Sequence, residues 1–367
     1  MSKAPLVVIG AGGTGGHMFP ASAFAAEMKK RGWRVGLMTD ERGRKYTDGF
    51  PADWIMNVKA ATFASKRPDK VIAAGLKILS GIGAAKKKLQ AEQATLVAGF
   101  GGYPAFPALA AARRAGIPII IHDQNAVLGR VNRVFASRAR IVACGFERLD
   151  HLPASAQARK HVVGNPVREP ILAVRNLPYP DLSEDTPLNL LVTGGSQGAR
   201  LFGEVIPSAI AQLPETLRKR LHVVQQVREE QLTDVQAHYE AAGVHAELSP
   251  FFSNMAERLA NAHFVIARSG ASSVTELAVV GRPSLLIPLA IAMDDHQTGN
   301  AETLKAAGGA DVISEADFTP ERTAAILEER LSDTEGLQNR AQAAASVGRF
   351  NAASELADLA EGVVQSA

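Results

Sequence analysis

The chain has 367 residues, enough for two domains of ordinary size, and 46% hydrophobic with 21% charged content reads as a folded, soluble protein. A net charge of +3 is too small to argue for a nucleic-acid partner, and a single cysteine, Cys144, excludes a disulfide framework or a cysteine-based metal cluster. The first apolar run stops at Gly10, too short for a secretory leader, and no run approaches the roughly 20 apolar residues of a membrane span, so a cytoplasmic protein is expected, with surface attachment to a membrane left open.

Leu6 to Ile9 predicts a buried strand, followed by the turn Gly10-Ala11-Gly12-Gly13-Thr14-Gly15-Gly16-His17. From about Phe19 the pattern turns helical, with Phe19, Ala23, Ala26 and Met28 closing on Lys29, Lys30, Arg31 and Gly32. A strand, a glycine turn and a helix start form a site for an anion, because backbone N–H groups and the helix dipole point at it. His17 stands at the exit of the turn, and a histidine titrating near neutrality suits removal of a hydroxyl proton. The same stretch has a second reading. Gly10, Gly12 and Gly15 match G-x-G-x-x-G, and Asp40 follows the strand Val35–Met38, which suits a nicotinamide dinucleotide.

Val71 to Leu89 is amphipathic, with Val71, Gly75, Ile78, Leu79, Ile82 and Leu89 at helical spacing. Lys66, Arg67, Lys70, Lys77 and Lys86 to Lys88 surround them. The segment reads as a core-facing helix with solvated lysines or as an apolar patch rimmed by bases on an anionic bilayer. Further strands are predicted at Leu96–Ala98, Ile117–Ile121 and Ile141–Ala143. Gly99 to Pro104 and His122-Asp123-Gln124-Asn125 fall at strand ends, where open α/β sheets bind ligands. His122 reads best as a buried, hydrogen-bonded ring, and Asp123 is a further base candidate.

After Gly164-Asn165-Pro166-Val167-Arg168 the composition shifts, and the proline-rich segment Asn176 to Pro187 reads as a linker region. The pattern restarts with a strand at Leu188–Val192 and a second glycine turn, Thr193 to Arg200, in which Ser196 offers a hydroxyl to a phosphate. Strands are predicted at Leu221–Gln225, Phe264–Ala267 and Ser284–Ile287. Arg268 to Glu276 opens a helix, where Glu276 suits either the vicinal hydroxyls of a ribose or a structural role at a positive helix end. Met293 to Asn300 opens another. Adjacent carboxylates at Asp294 and Asp295 diverge, so a metal is not expected there, and Gln297 and Asn300 suit neutral sugar hydroxyls. A last helix spans about Asn351 to Val364. The fold class is α/β with doubly wound parallel sheets. The expected organisation is 1–168, 169–350 and a C-terminal helix, 351–367, returning to the first domain.

The blocks Gly12 to His17, Gly101-Gly102-Tyr103, His122 to Asn125, Gly164 to Arg168, Gly194 to Arg200, Arg268 to Glu276 and Gln297 resemble, in order, the MurG family of bacterial glycosyltransferases. The resemblance runs from about residue 5 to beyond residue 300. It implies a GT-B fold, two Rossmann-like domains facing a cleft. It implies transfer of N-acetylglucosamine from UDP-N-acetylglucosamine to the 4-hydroxyl of undecaprenyl-diphosphate-linked N-acetylmuramyl-pentapeptide, with inversion and with no bound metal or other cofactor. It also implies a peripheral enzyme on the anionic cytoplasmic face of the inner membrane, whose first domain takes the lipid-linked acceptor and whose second takes the donor. By motif, Thr14, Gly15 and Gly16 line the acceptor diphosphate and donor sugar, and His17 resembles the general base. Asn125 meets the donor sugar, Arg168 and Ser196 the UDP diphosphate, and the Phe252 backbone the uracil edge. Ala271, Ser272, Ser273, Val274, Thr275 and Glu276 hold diphosphate and ribose, and Gln297 the sugar hydroxyls. Two positions depart from the pattern: Asp123 stands where the family often has Glu, and His296 where it often has Gln. A dinucleotide oxidoreductase, another UDP-N-acetylglucosamine enzyme of the same fold such as a 2-epimerase or a glycolipid transferase, and a nucleotide-sugar-binding subunit without turnover of its own are the rival readings.

Overall fold

The computed structural model describes residues 4–58, 68–184, 186–195 and 198–366. They divide into two compact units, Met1–Arg168 with Phe350–Ala367, and Glu169–Arg349. The fold class is α/β, as expected.

The first unit is built on seven parallel strands, β1 (Leu6–Gly10), β2 (Arg34–Thr39), β3 (Trp54–Asn57), β4 (Leu96–Gly99), β5 (Ile119–Asp123), β6 (Ile141–Cys144) and β7 (Lys160–Val162), in the order β3-β2-β1-β4-β5-β6-β7. The helices α1 (Gly15–Lys30), α2 (Pro68–Ala91), α3 (Ala105–Ala115) and α4 (Arg130–Ala136) connect them. Side chains alternate along β1. Leu6 and Val8 enter one apolar cluster with Ala108 and Leu109 of α3 and Phe135 of α4, while Val7 and Ile9 enter another with Phe24 and Met28 of α1. The strand is therefore apolar at every position because helices cover both of its faces.

The second unit repeats the plan with β8 (Leu188–Thr193), β9 (Leu221–Gln226), β10 (His245–Ser249), β11 (Phe264–Ala267), β12 (Ser284–Leu286) and β13 (Ala310–Val312), all parallel, in the order β10-β9-β8-β11-β12-β13. Its helices are α5 (Glu169–Val174), α6 (Arg200–Ala211), α7 (Glu215–Arg220), α8 (Leu232–Ala241), α9 (Met255–Asn261), α10 (Ala271–Val280), α11 (His296–Ala307), α12 (Pro320–Ser332) and α13 (Thr334–Ser346). In each sheet the strand order reverses beside the first strand, between β1 and β4 and between β8 and β11. Such a switch point opens a crevice at the carboxyl ends of the strands, and both glycine turns lie there.

The last helix, α14 (Ala352–Gln365), belongs to the first unit. Leu356, Ala357, Ala360 and Val363 join the cluster of Phe24 and Met28. Arg31, at the end of α1, reaches Asp358 at 2.6 Å, Glu361 at 2.8 Å and the Ser354 hydroxyl at 2.8 Å, while Trp33 Nε1 donates to Glu361 at 3.0 Å.

Three sequence expectations change. Helix α1 starts at Gly15, four residues before the apolar periodicity does, because two glycines of low helix propensity occupy its first turn. The segment expected to link the domains, described at 176–184 and 186–187, lies within the second unit and docks on it. Tyr179 and Leu182 pack on the core of the second unit, the Tyr179 hydroxyl donates to the His263 carbonyl at 2.5 Å, and His263 Nε2 donates to the Asp181 carbonyl at 2.8 Å. Finally, α2 divides the residues assigned to a membrane patch. Ile82 and Leu89 are core residues, Ile78 is half-buried, and Leu79 is 54% exposed beside exposed Lys77. Lys88 is engaged, 2.8 Å from Glu92 and 4.7 Å above the Trp54 ring. Lys66 and Arg67, and the side chains of Lys70 and Val71, lie outside the described residues. No helix among the described residues is long and apolar enough to cross a membrane.

Candidate active site

The first unit gathers its polar motifs at the ends of β1, β4 and β5. Thr14 is the extended residue that precedes α1, and Gly15, Gly16 and His17 form the helix's first turn, so their placement is that of a helix N-terminus, where N–H groups lack intrahelical partners. No side chain caps this end from Thr14. The loop after β4 packs on the turn backbone to backbone. Gly102 has φ of +74°, and a Cβ there would lie 2.5 Å from the Gly12 carbonyl oxygen, so neither the conformation nor the space admits another residue. His17 is accordingly a half-buried ring seated on Gly101 and Gly102, not a side chain held out by a flexible loop.

Asp40 explains the dinucleotide-like spacing. Its Oδ1 accepts from Gly13 N at 3.2 Å and Gly43 N at 2.9 Å, and Arg42 Nε donates to Oδ2 at 3.2 Å. The carboxylate that a dinucleotide reading needs for a ribose diol is instead the clamp of the turn itself.

His17 Nδ1 lies 2.8 Å from Gln124 Oε1. Gln124 Nε2 faces His122 twice, at 3.1 Å from Nδ1 and 3.3 Å from the carbonyl oxygen, and His122 Nε2 donates to the Gly164 carbonyl at 2.9 Å. His122 and Gln124 are each 1% exposed, and burial pushes the His122 pKa down to about 4 despite the hydrogen bond to Gly164. Next to it, burial raises the Asp123 pKa, although its carboxylate accepts from Gly129 N at 2.7 Å, Asn132 Nδ2 at 2.9 Å and Asn125 N at 3.2 Å. Asp123 thus spends its oxygens on the start of α4 and on the backbone of Asn125. Asn125 itself is half-buried beside Gln124. The Arg168 guanidinium stacks 4.2 Å over the ring of Phe19 on α1, which brings that cation to the same helix as His17.

In the second unit, the turn after β8 is held by Gln226 at the end of β9. Its Oε1 accepts from the Thr193 hydroxyl and from Gly194 N, each at 3.1 Å, and its Nε2 donates to the Pro250 carbonyl at 3.1 Å, two residues before Phe252. Ser196 lies outside the described residues. Phe252 is buried, with the Arg258 guanidinium 4.1 Å over its ring, and Arg258 in turn pairs with Glu247.

Helix α10 divides its motif between two faces. Ala271, Val274 and Thr275 are buried and leave only their backbones to a ligand, whereas Ser272, Ser273 and Glu276 are half-buried. The hydroxyl oxygens of Ser269 and Ser272 are buried with no hydrogen-bond partner among the described residues, beside a helix start that no side chain caps. Buried hydroxyls without partners are costly unless a ligand meets them, which suits phosphate oxygens. Asn300 of α11 is fully buried and donates to the Ser269 carbonyl at 3.1 Å, so it braces this turn and does not face solvent as a sugar contact. Gln297 is half-buried, and its Oε1 accepts from Leu289 N at 3.0 Å. Among the described residues no group of three or more His, Cys, Asp or Glu side chains is placed to hold a metal ion.

Known proteins match this arrangement from end to end. The model of the glycosyltransferase family 28 N-terminal domain matches residues 7–161, and that of the glycosyltransferase family 28 C-terminal domain matches residues 189–361. The chain belongs to glycosyltransferase family 28. Within the family it is 50% identical over 360 residues, 98% of each chain, to the UDP-N-acetylglucosamine--N-acetylmuramyl-(pentapeptide) pyrophosphoryl-undecaprenol N-acetylglucosamine transferase of Maricaulis maris. It is 51% identical over 361 residues, 98% of this chain and 99% of the other, to the protein of the same name from Caulobacter vibrioides. The crystal structure of Acinetobacter baumannii MurG superposes with a TM-score of 0.79 at 32% identity, covering 98% of this chain and 99% of that one.

Two side chains, one in each unit, that hold motif residues in place escaped the motif reading. Gln124 sits inside a recognised block but has no chemistry of its own, and Gln226 closes the mixed strand β9 with no motif around it. Both act through side-chain amides that span distances set by the fold, which spacing in sequence does not encode.

Proposed function

We propose that this chain transfers N-acetylglucosamine from UDP-N-acetylglucosamine to the 4-hydroxyl of undecaprenyl-diphosphate-linked N-acetylmuramyl-pentapeptide, with inversion at the anomeric carbon. The observation that carries the reading is the relation along the whole chain to relatives of that name, half of all positions being identical. In the reaction the acceptor oxygen attacks the anomeric carbon, the bond from that carbon to the UDP oxygen breaks with its electron pair going to the diphosphate, and His17 takes the hydroxyl proton. Its place in the first turn of α1, on a seat made by Gly101 and Gly102, supports that role.

Thr14, Gly15 and Gly16 face the acceptor diphosphate and donor sugar. The donor lies on the second unit, with the diphosphate on the start of α10, Ser272, Ser273 and the backbones of Ala271, Val274 and Thr275. Glu276 takes the ribose hydroxyls, Gln297 the sugar, and the Phe252 backbone the uracil edge. Ser196 and Arg168 neutralise the leaving diphosphate, and Asn125 meets the sugar. The enzyme works at the cytoplasmic face of the inner membrane, where the α2 surface carrying Leu79 and Lys77 meets anionic lipid.

The test is transfer of labelled N-acetylglucosamine to a short-chain analogue of the lipid-linked muramyl-pentapeptide. Transfer by the wild type, with loss in His17→Ala and intact UDP binding, is expected. A folded, UDP-binding wild type that transfers nothing overturns the activity, and an active His17→Ala discards the base. Co-sedimentation with vesicles of anionic phospholipid, reduced in Leu79→Asp, checks the membrane surface.

A further inference from the structure

We infer that Gln124 and His122 form a buried relay that fixes His17 in its Nδ1–H tautomer and thereby leaves Nε2 as the atom that accepts the proton. The inference deepens the transferase reading and rests on it only for what the proton comes from. Its starting points are two backbone carbonyls, which can only accept. His122 Nε2 is 2.9 Å from the carbonyl of Gly164, so that nitrogen carries the hydrogen, and a neutral imidazole then has its lone pair at Nδ1. Burial keeps His122 neutral at physiological pH. Gln124 therefore meets two acceptors on one side, the His122 Nδ1 lone pair at 3.1 Å and the His122 carbonyl at 3.3 Å, and its NH2 group must face them. The amide oxygen is then turned to His17 Nδ1 at 2.8 Å, and His17 has to donate there.

The opposite arrangement is disfavoured at each link. Turning the amide over would set its oxygen against a lone pair and a carbonyl oxygen, in a place where Gln124 and His122 are both 1% exposed and water offers no substitute. Moving the His122 proton to Nδ1 to accommodate it would leave the Gly164 carbonyl facing a second lone pair. The charged group beside this line is Asp123 on the same strand end, whose oxygens are taken by Gly129 N, Asn132 Nδ2 and Asn125 N. From the facing loop, His17 meets Gly101 and Gly102, which carry no charge. Gln124 and His122 are thus positioning residues: they touch no substrate and act through the tautomer of His17.

The full chain labelled with 15N-histidine gives a direct readout, the His17 signals being assigned by their loss in His17→Ala. Expected in the wild type near neutral pH is a protonated Nδ1 and a lone-pair Nε2. Gln124→Met, similar in shape but without the amide, should lose that bias and lower kcat by about tenfold or more while KM for UDP-N-acetylglucosamine stays within about twofold. Gln124→Glu keeps an acceptor for His17 but sets its other oxygen against the His122 lone pair and carbonyl, so it should hold a proton there near neutral pH, keep the Nδ1–H tautomer and shift the pH profile of kcat/KM as that proton leaves. A purely structural role for Gln124 would produce no such shift. His17 protonated on Nε2 in the wild type overturns the relay, whatever the variants do, as does Gln124→Met with tautomer and kcat unchanged. Wild type that shows the Nδ1–H tautomer yet transfers no N-acetylglucosamine leaves the relay standing and sinks the transferase reading instead.

Discussion

The turn after β1 and the turn after β8 occupy the same place in two sheets of the same strand order, and different chemistry holds them. The first is clamped by a carboxylate: Asp40 takes the N–H of Gly13 and of Gly43. The second is clamped by an amide: Gln226 takes the N–H of Gly194 and the hydroxyl of Thr193. In both, the clamp stands at the end of the next strand. A carboxylate at the first turn uses an N–H group that an anion would otherwise meet and adds a negative charge beside it. A neutral amide at the second does the mechanical work without that charge. The fold repeats, but the second turn is held without a fixed negative charge at its clamp, whereas the first carries one.

The largest effect should come from breaking the first turn's chemistry. His17→Ala should lower kcat by about 10²- to 10⁴-fold, the usual contribution of a general base. UDP affinity by calorimetry should be unchanged, because His17 is not among the groups proposed to hold UDP. A loss of UDP affinity in step with kcat would assign His17 to binding instead.

Next is the seat of that ring. Gly102→Ala combines a positive φ with a Cβ 2.5 Å from a backbone oxygen and should cost about 2–4 kcal/mol of stability. Gly270→Ala, at the start of α10, meets nothing within 4 Å and has φ of −61°, so its melting temperature should stay close to that of the wild type. The pair contrasts a loop-on-loop contact in the first unit with an open helix start in the second.

The buried His122 should make the first unit acid-sensitive. Its folded pKa, about 4, lies below the usual 6.5, so the unfolded chain takes up a proton that the folded one refuses. Stability from this source is full above pH 6.5, declines as pH falls toward about 4 and then levels, for at most about 3 kcal/mol. His122→Leu should remove that decline. Both tryptophans, Trp33 and Trp54, lie in the first unit, so urea melts followed by fluorescence at several pH values report on it.

What the sequence made legible follows from burial. Strands such as β1, β4 and β11 are buried at every position and read as unbroken apolar runs. The strands it missed, β3, β7, β10 and β13, are the four sheet edges, where Trp54-Ile55-Met56-Asn57 alternates in burial and His245 to Ser249 is largely polar. The motif residues on α1 and α10 were legible because glycine and serine at a strand end have few other uses. Which of them turn inward, as Val274 and Thr275 do, depends on helix phase against a partner that the motif does not name. Asp40 was legible as an acid but not as a clamp, since the spacing is the same whether it meets a ribose or its own turn.

The smallest expected effect bears most directly on the comparison of the two turns. Exchanging clamp chemistry keeps shape and changes only charge and hydrogen-bond donors. Gln226→Glu still offers an oxygen to Gly194 N and Thr193, but it adds a negative charge to the second turn and loses the N–H that reaches the Pro250 carbonyl. If that turn lies close to the UDP diphosphate, repulsion should weaken UDP binding by about tenfold, or about 1.4 kcal/mol, and the deficit should shrink at high salt. Asp40→Asn makes the reverse change in the first turn. It keeps the acceptor for Gly13 and Gly43, so UDP affinity should not move, and kcat should fall by no more than about threefold through slackening of a charge-assisted hydrogen bond. Equal effects of the two substitutions on UDP affinity would mean that the charge of the clamp is irrelevant and that the two turns differ only in which side chain happens to reach them.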